Sequence, residues 1–510
     1  MWFNLQKMKP ARRRMFLFGL AGAALMALAL FLTNPDFSIL EDETSIIVAA
    51  NAPVAQTINL FITGEGQHEH PPLSDLILHF WLPFAGVSPS LVRVPSIIFY
   101  SIALVVSAAA AQKLGGATAF YTTMVFGMLW PFGFHFGRLA GWYSFCFLLI
   151  GLLTLSYLYF LEAPDGGRWL LVVCASFAAV LSNYFCWLVV ALVMIDTFLS
   201  IERRQAYRYA GLGVAILFVA YGPFWITLAH EVQRSDPTAV GHGILGALLN
   251  AGFNLYALFV SESVAPWFWL LSVPAGIAVA IVLVTIPFLT EGRARRFYFG
   301  FLILFGAMAA LGIIGTKRLL FISGWLLIAI GCAVANRKRP RFRALLASSL
   351  LIIVVIGWAG IFSRRHYASL HYVEPWAPLA REAAQNINRG EVVISNSPSF
   401  LFYLNASLYD LGLSHNRMAG WATGPGVVSL VQSDIPARLP AKEIMFVRGV
   451  NTSATERTNQ TEEWLVSHCR MESSDRIVRD DGFEMKKRYF HVDVDDPYRI
   501  HLERFDCRRR

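Results

Sequence analysis

Long apolar runs separated by short polar intervals make up most of this chain. Runs of about 17 to 25 residues, the length that crosses a bilayer, begin near residues 15, 91, 117, 140, 208, 266, 297, 318 and 343. The stretch from Arg168 to Ser200 is about twice that length and divides at Ser182, Asn183 and Tyr184, which brings the expected spans to eleven. The pattern changes after the first run. From Thr44 to Thr63 the apolar residues Ile46, Ile47, Ala50, Val54, Ile58 and Phe61 recur at helical spacing, which predicts a helix lying on the bilayer surface. Leu73 to Phe84 is apolar but too short to span, and reads as re-entrant or interfacial. Beyond Ser363 the alternation becomes that of a small α/β domain: a helix over Trp376 to Ile387, strands over Glu391 to Ser395 and Ala441 to Val447, and a partial parallel sheet. The fold class is therefore an α-helical polytopic membrane protein. Residues 1–362 form the transmembrane part, with a first outer loop over 34–90, and 363–510 form a C-terminal α/β domain.

Composition agrees, with 56% apolar and only 15% charged residues and a mean hydropathy of +0.51. The basic residues orient the spans. Arg12 to Arg14, Arg203, Arg204, Arg208, Arg293 to Arg296 and Arg337 to Arg343 fall on one side. The other side, up to residue 362, keeps Arg93, Arg138, Arg234, Lys317 and Arg318. Lys and Arg in short loops stay cytoplasmic, so the N-terminus is cytoplasmic, and an odd number of spans puts the first loop and the C-terminal domain outside the cytoplasmic (inner) membrane. The first apolar run lacks a small-residue cleavage site and reads as a retained anchor. The net charge of +9 reports this topology and gives no reason to invoke nucleic acid. No internal repeat, P-loop or dinucleotide-binding glycine pattern is present. Cys146, Cys174, Cys186 and Cys332 lie in apolar runs as packing residues. Cys469 and Cys507 lie in the outer domain, where an oxidising compartment permits a disulfide that spacing alone does not determine.

The candidate chemistry concentrates after the first span. No Lys or Arg occurs between Arg14 and Arg93, and Glu41, Asp42, Glu43, Glu65, Glu69 and Asp75 share that interval. A carboxylate held at the mouth of a membrane cavity accepts a proton from an attacking hydroxyl, and Asp42 and Glu43 are the sharpest candidates; the bland alternative is a solvated acidic loop. His68, Glu69 and His70 with Asp42 offer imidazole and carboxylate ligands for a divalent metal, although two histidines two residues apart meet no strict ligand spacing. Arg138, Lys317 and Arg318, beside apolar helices, suit either a phosphate at headgroup level or snorkelling to the lipid surface, and Arg93 fits both.

In order, the chain presents Asp42-Glu43, a surface helix, His70-Pro71-Pro72-Leu73, Leu78-His79-Phe80-Trp81, Gly86 and Arg93-Val94-Pro95-Ser96. Further on come Arg138, Tyr143-Ser144 and Lys317-Arg318, and then Pro375-Trp376 through Gly390-Glu391-Val392-Val393. This order resembles the C-superfamily glycosyltransferases (GT-C), in the branch of protein O-mannosyltransferase-like and aminoarabinose transferase-like enzymes. Arg138 departs from the pattern, standing five residues before Tyr143 with Gly141 and Trp142 between. The resemblance implies an inverting glycosyltransferase that moves a sugar from a polyprenyl-phosphate donor to an acceptor hydroxyl on a lipid, a polysaccharide or a protein, outside the cytoplasmic membrane. It implies Asp42 as base, Glu43 or Glu69 positioning it or binding the sugar, and His70, Arg93, Arg138, Tyr143, Lys317 and Arg318 on the substrate. The rival readings are a transporter or flippase of lipid-linked saccharides and a non-catalytic membrane scaffold. A transporter would place functional polar residues near midplane, whereas the ionisable groups here gather at the outer ends.

Overall fold

The computed structural model describes residues 10–63, 71–228, 243–364, 366–431, 443–449, 455–480 and 498–507. The chain forms two compact units. The first comprises residues 1–32, 54–76 and 94–368, and the second 33–53, 77–93 and 369–510. The units thus do not follow the single boundary at residue 362 that composition suggests: most of the first outer loop groups with the C-terminal segment.

The first unit is helical. It contains α1 (Pro10–Leu32), α3 (Val54–Thr63), α5 (Val94–Leu129), α6 (Pro131–Phe136), α7 (Trp142–Glu162), α8 (Gly166–Ser182) and α9 (Cys186–Ser200). There follow α10 (Arg203–Ala220), α11 (Gly243–Val260), α12 (Trp269–Leu289), α13 (Gly292–Ala310), α14 (Ser323–Ala335) and α15 (Pro340–Ser363). Helix α5 packs on α1, α7 and α14, and α12 packs on α15. The apolar runs expected from residues 91 and 117 are two helical stretches of α5 that meet at Gly116, whose φ of +74° lies in the left-handed region that favours glycine. The break expected near Ser182 lies at residues 183–185, between α8 and α9.

Among the described residues, five helices are long and apolar enough to cross a membrane, and six if the bent pair Arg203–Ala220 and Gly222–Leu228 is one span. This is fewer than the eleven read from hydropathy. Part of the difference lies in shorter apolar helices such as α8, α9 and α14, of 17, 15 and 13 residues. At about 1.5 Å per residue these fall short of a hydrocarbon core of about 30 Å.

The second unit contains α2 (Glu41–Ala50), the larger part of α4 (Leu73–Ala85), α16 (Trp376–Asn388), α17 (Pro398–Asp410), α18 (Thr455–His468) and a mixed five-stranded sheet. The strands are β1 (Val392–Ser395), β2 (Val427–Ser429), β3 (Glu443–Gly449), β4 (Arg470–Arg479) and β5 (Tyr498–Asp506), in the order β2-β1-β3-β5-β4. The first three are parallel, as the alternation predicts, and β5 and β4 extend the sheet antiparallel. Successive β1 residues point to opposite faces. Val393 joins a core with Trp376, Phe400, Leu404 and Met445, and Ile394 joins one with Phe446, Leu465 and Phe505. Cys469 and Cys507 form a disulfide that ties the chain after α18 to the chain after β5.

The expected surface helix over Thr44 to Thr63 is two helices, α2 and α3, separated at residues 51–53. Pro53 has no N–H to continue the first one. The buried residues of α2 are Glu43, Thr44, Ile46, Ile47 and Ala50, and the helix packs against α17. Its apolar side therefore serves protein packing instead of a lipid surface.

Candidate active site

The acidic turn is organised by an ion pair buried inside the second unit. Arg93 is 1% exposed and Glu43 is fully buried. The guanidinium donates from Nε to Glu43 Oε1 at 2.8 Å and from Nη2 to Glu43 Oε2 at 2.5 Å. The other three N–H groups go to Asn34 Oδ1 at 3.1 Å, Phe37 O at 3.0 Å and Ser38 O at 2.7 Å. All five donors of Arg93 are thereby used inside the turn, in the forked geometry that suits a carboxylate. That geometry assigns Arg93 to holding residues 34–43 and leaves it no N–H for a substrate.

Glu43 also accepts from the Leu40 amide at 3.0 Å, closing the first turn of α2 from within. Asp42 lies in the same turn and is exposed. A helix N-terminus favours an ionised carboxylate there. Removing one partner of such a buried pair leaves an uncompensated charge and costs about 3–5 kcal/mol. The pair is therefore able to keep the Asp42 backbone in one place.

The other cations singled out from the sequence, Arg138, Lys317 and Arg318, lie in the first unit. Arg138 follows α6 and is fully buried. It donates to Phe134 O from Nε at 3.3 Å and from Nη2 at 3.1 Å, and to Leu30 O from Nη1 at 3.5 Å. Its guanidinium carbon is 4.6 Å from the Phe134 ring centre. The turn can form because Gly133 lies so close to Tyr100 that a Cβ there would meet the tyrosine hydroxyl at 1.9 Å. Tyr143, in the first turn of α7, is buried, and Lys317 Nζ lies 5.9 Å from the centre of its ring. Thr316 Oγ1 donates to Asn254 Oδ1 of α11 at 3.0 Å, which braces the basic turn over Thr316–Phe321. Arg318 donates to Ile313 O at 3.2 Å and lies 5.5 Å from the Phe185 ring. Tyr143 and Lys317 are thus brought together across 174 positions of sequence.

A polar cluster that the sequence reading missed lies in the same unit. His135 Nδ1 and Ser261 Oγ share a 2.7 Å hydrogen bond, and both residues are buried. Ser261 has φ +65°, unusual for a residue other than glycine. The His135 ring is edge-on to Tyr367 at 5.6 Å. Burial pushes the Tyr367 phenol up, with the charges of Arg138 and Arg364 opposing the shift. Residues 366–368 run beside this turn: Ala265 N donates to His366 O at 2.7 Å, and Ala368 N to Glu262 O at 2.8 Å. A lone His within Phe-His-Phe carries no spacing signal for a partner 126 residues away.

Glu69, His70 and His68 lie outside the described residues. Among the described residues no group of three or more His, Cys, Asp or Glu side chains is placed to hold a metal ion. Asp75, in the first turn of α4, is buried. Burial raises its carboxyl to about 7 against a weak lowering by the Ser74 hydroxyl, 3.4 Å away.

No protein-family model matches this chain. No curated protein matches its sequence either. Solved structures do. ArnT from Cupriavidus metallidurans in the apo state matches over 95% of this chain and 97% of its own, at 14% identity and a TM-score of 0.52. The same protein bound to undecaprenyl phosphate matches over the same shares at 13% identity and a TM-score of 0.40. The oligosaccharyltransferase AglB from Archaeoglobus fulgidus, in complex with an inhibitory peptide and a dolichol-phosphate, covers 84% of this chain and 69% of its own at 11% identity and a TM-score of 0.43. The first of these likenesses extends over nearly the whole chain, so the fold here is that of ArnT.

Proposed function

We propose that this protein is an inverting glycosyltransferase that moves a sugar from a polyprenyl-phosphate donor to an acceptor hydroxyl on the extracytoplasmic face of the cytoplasmic membrane. The observation that carries the reading is the acidic turn. A fully satisfied Glu43–Arg93 pair holds the start of α2 and leaves the neighbouring Asp42 carboxylate exposed. Asp42 serves as the base that takes the acceptor proton as the hydroxyl attacks the anomeric carbon. Glu43 positions it. The leaving group is already a phosphate, so the chemistry needs fixed cations to receive its charge and no nucleotide site. Lys317, Arg318 and Arg138 supply them, with Tyr143 fixing the place of Lys317.

The fold likeness to ArnT supports the donor class, because that protein has also been solved bound to undecaprenyl phosphate. The Cys469–Cys507 disulfide supports an oxidising compartment for the second unit, as an extracytoplasmic location requires.

The test is turnover of a defined polyprenyl-phosphate sugar by the purified protein. Asp42→Asn is expected to lower it by about 10²- to 10⁴-fold with an unchanged melting temperature. Full activity in that variant removes Asp42 from the role of base, and recovery of an isoprenoid phosphate among copurified lipids tests the donor class separately.

A further inference from the structure

The acidic turn is held by the C-terminal segment through contacts that the chemistry above does not use. The Ser38 amide donates to Tyr372 O at 2.9 Å, and its hydroxyl donates to Glu374 O. One residue on, the Ile39 amide donates to the Tyr403 hydroxyl oxygen at 3.1 Å. Leu40 follows, with its amide on Glu43. At the far end of α2, Asn51 Nδ2 donates to Ala419 O at 2.5 Å. Both the approach to α2 and its exit are therefore tied to residues 372–419.

The anchoring side is itself rigid. Glu374 accepts from Arg499 Nε of β5 at 3.0 Å and from Trp376 Nε1 at 2.9 Å. Tyr403 stands on α17, which contributes Phe400, Leu401 and Leu404 to the core above the sheet.

We propose that Tyr403 is a positioning residue: by accepting the Ile39 amide it sets the orientation of the first turn of α2 and hence of Asp42. The C-terminal α/β domain then takes part in catalysis by holding the acidic turn in register, beyond any role as a display module. This rests on the reading of Asp42 as base. A small displacement of a reacting group is enough to cost a large factor in rate.

The experiment uses the full-length protein carrying Tyr403→Phe, which deletes the acceptor oxygen and keeps the ring that packs. Hydrogen exchange of a peptide over residues 37–44 is expected to speed up about tenfold, while strand β3 keeps its protection. In the same sample kcat is expected to fall about tenfold with the donor KM unchanged. Ser38→Ala, which removes the hydroxyl bonded to Glu374 O, is expected to act on the same peptide in the same direction and serves if the first variant does not fold. Unaltered exchange overturns the proposal. Faster exchange with an unaltered kcat also overturns it, because the turn would then be held without bearing on the reaction. If Asp42→Asn retains full activity, the functional reading fails on its own, and the exchange measurement still reports whether Tyr403 holds the turn.

Discussion

Two sets of basic residues behave in opposite ways. Those of the arginine-rich turns are exposed and answered loosely: Lys338 bonds Glu291 at 2.9 Å with their side chains 73% and 61% exposed. Nearby cations hold the Glu291 carboxyl below its ordinary range, the Lys338 hydrogen bond chief among them. Arg93 and Arg138, from the sparse set on the other side of the charge count, are 1% and 0% exposed. A surface pair contributes little to stability. A buried cation is tolerated only when its donors are met, so each has been built into a specific place. Abundance marks turns whose cations stay solvated, and burial marks the few cations fixed inside each unit.

The sharpest way to break this comparison is to unpair Arg93. Arg93→Ala leaves Glu43 buried without its partner and is expected to destabilise the protein by about 3–5 kcal/mol, read as a fall in melting temperature in detergent. Joint replacement, Arg93→Met with Glu43→Leu, is expected to recover most of that stability while turnover stays low, since two apolar groups satisfy each other but do not hold the turn. A loss under about 1 kcal/mol in the single variant would put the pair in the same class as the exposed ones.

Asp75 gives a second, smaller contrast, a buried carboxylate with no strong cation in its shift. Its carboxyl in the fold is raised to about 7 from an ordinary 3.8. Well below the ordinary 3.8 it is neutral in the folded and unfolded chain alike. As pH rises toward 7 the unfolded chain releases the proton first, so the fold loses stability on the order of a few kcal/mol. Asp75→Asn is therefore expected to raise the melting temperature at pH 8, with a difference that shrinks toward pH 4; a pH-independent difference would refute the assignment. The smallest effect is expected at Lys338. Lys338→Ala should leave the melting temperature unchanged within error, and a clear drop would show that exposed pairs matter here too.

Several elements were legible in the residues. Helical periodicity marked α16, apolar runs between turn residues marked β1 and β3, and the polar Ser182-Asn183-Tyr184 marked the break between α8 and α9. The acidic Asp42-Glu43 was visible as a pair, but the roles of its members were not. Glu43 meets Arg93 fifty positions later, and Ile39 meets Tyr403 at a separation of 364. The antiparallel β4 and β5 were missed because β4 is largely exposed and polar, so no buried alternation marks it. Thr44 to Thr63 read as one helix because periodicity carries across Pro53, while the backbone does not.

The residues alone determined the membrane class, the helical character and the type of the C-terminal domain, since each follows from local hydropathy or periodicity. Only the tertiary structure decided that the acidic turn belongs with the C-terminal segment, that Arg93 is consumed inside it, and that His135 meets Ser261. Those outcomes depend on which distant groups satisfy a buried donor. A one-dimensional pattern carries no such information.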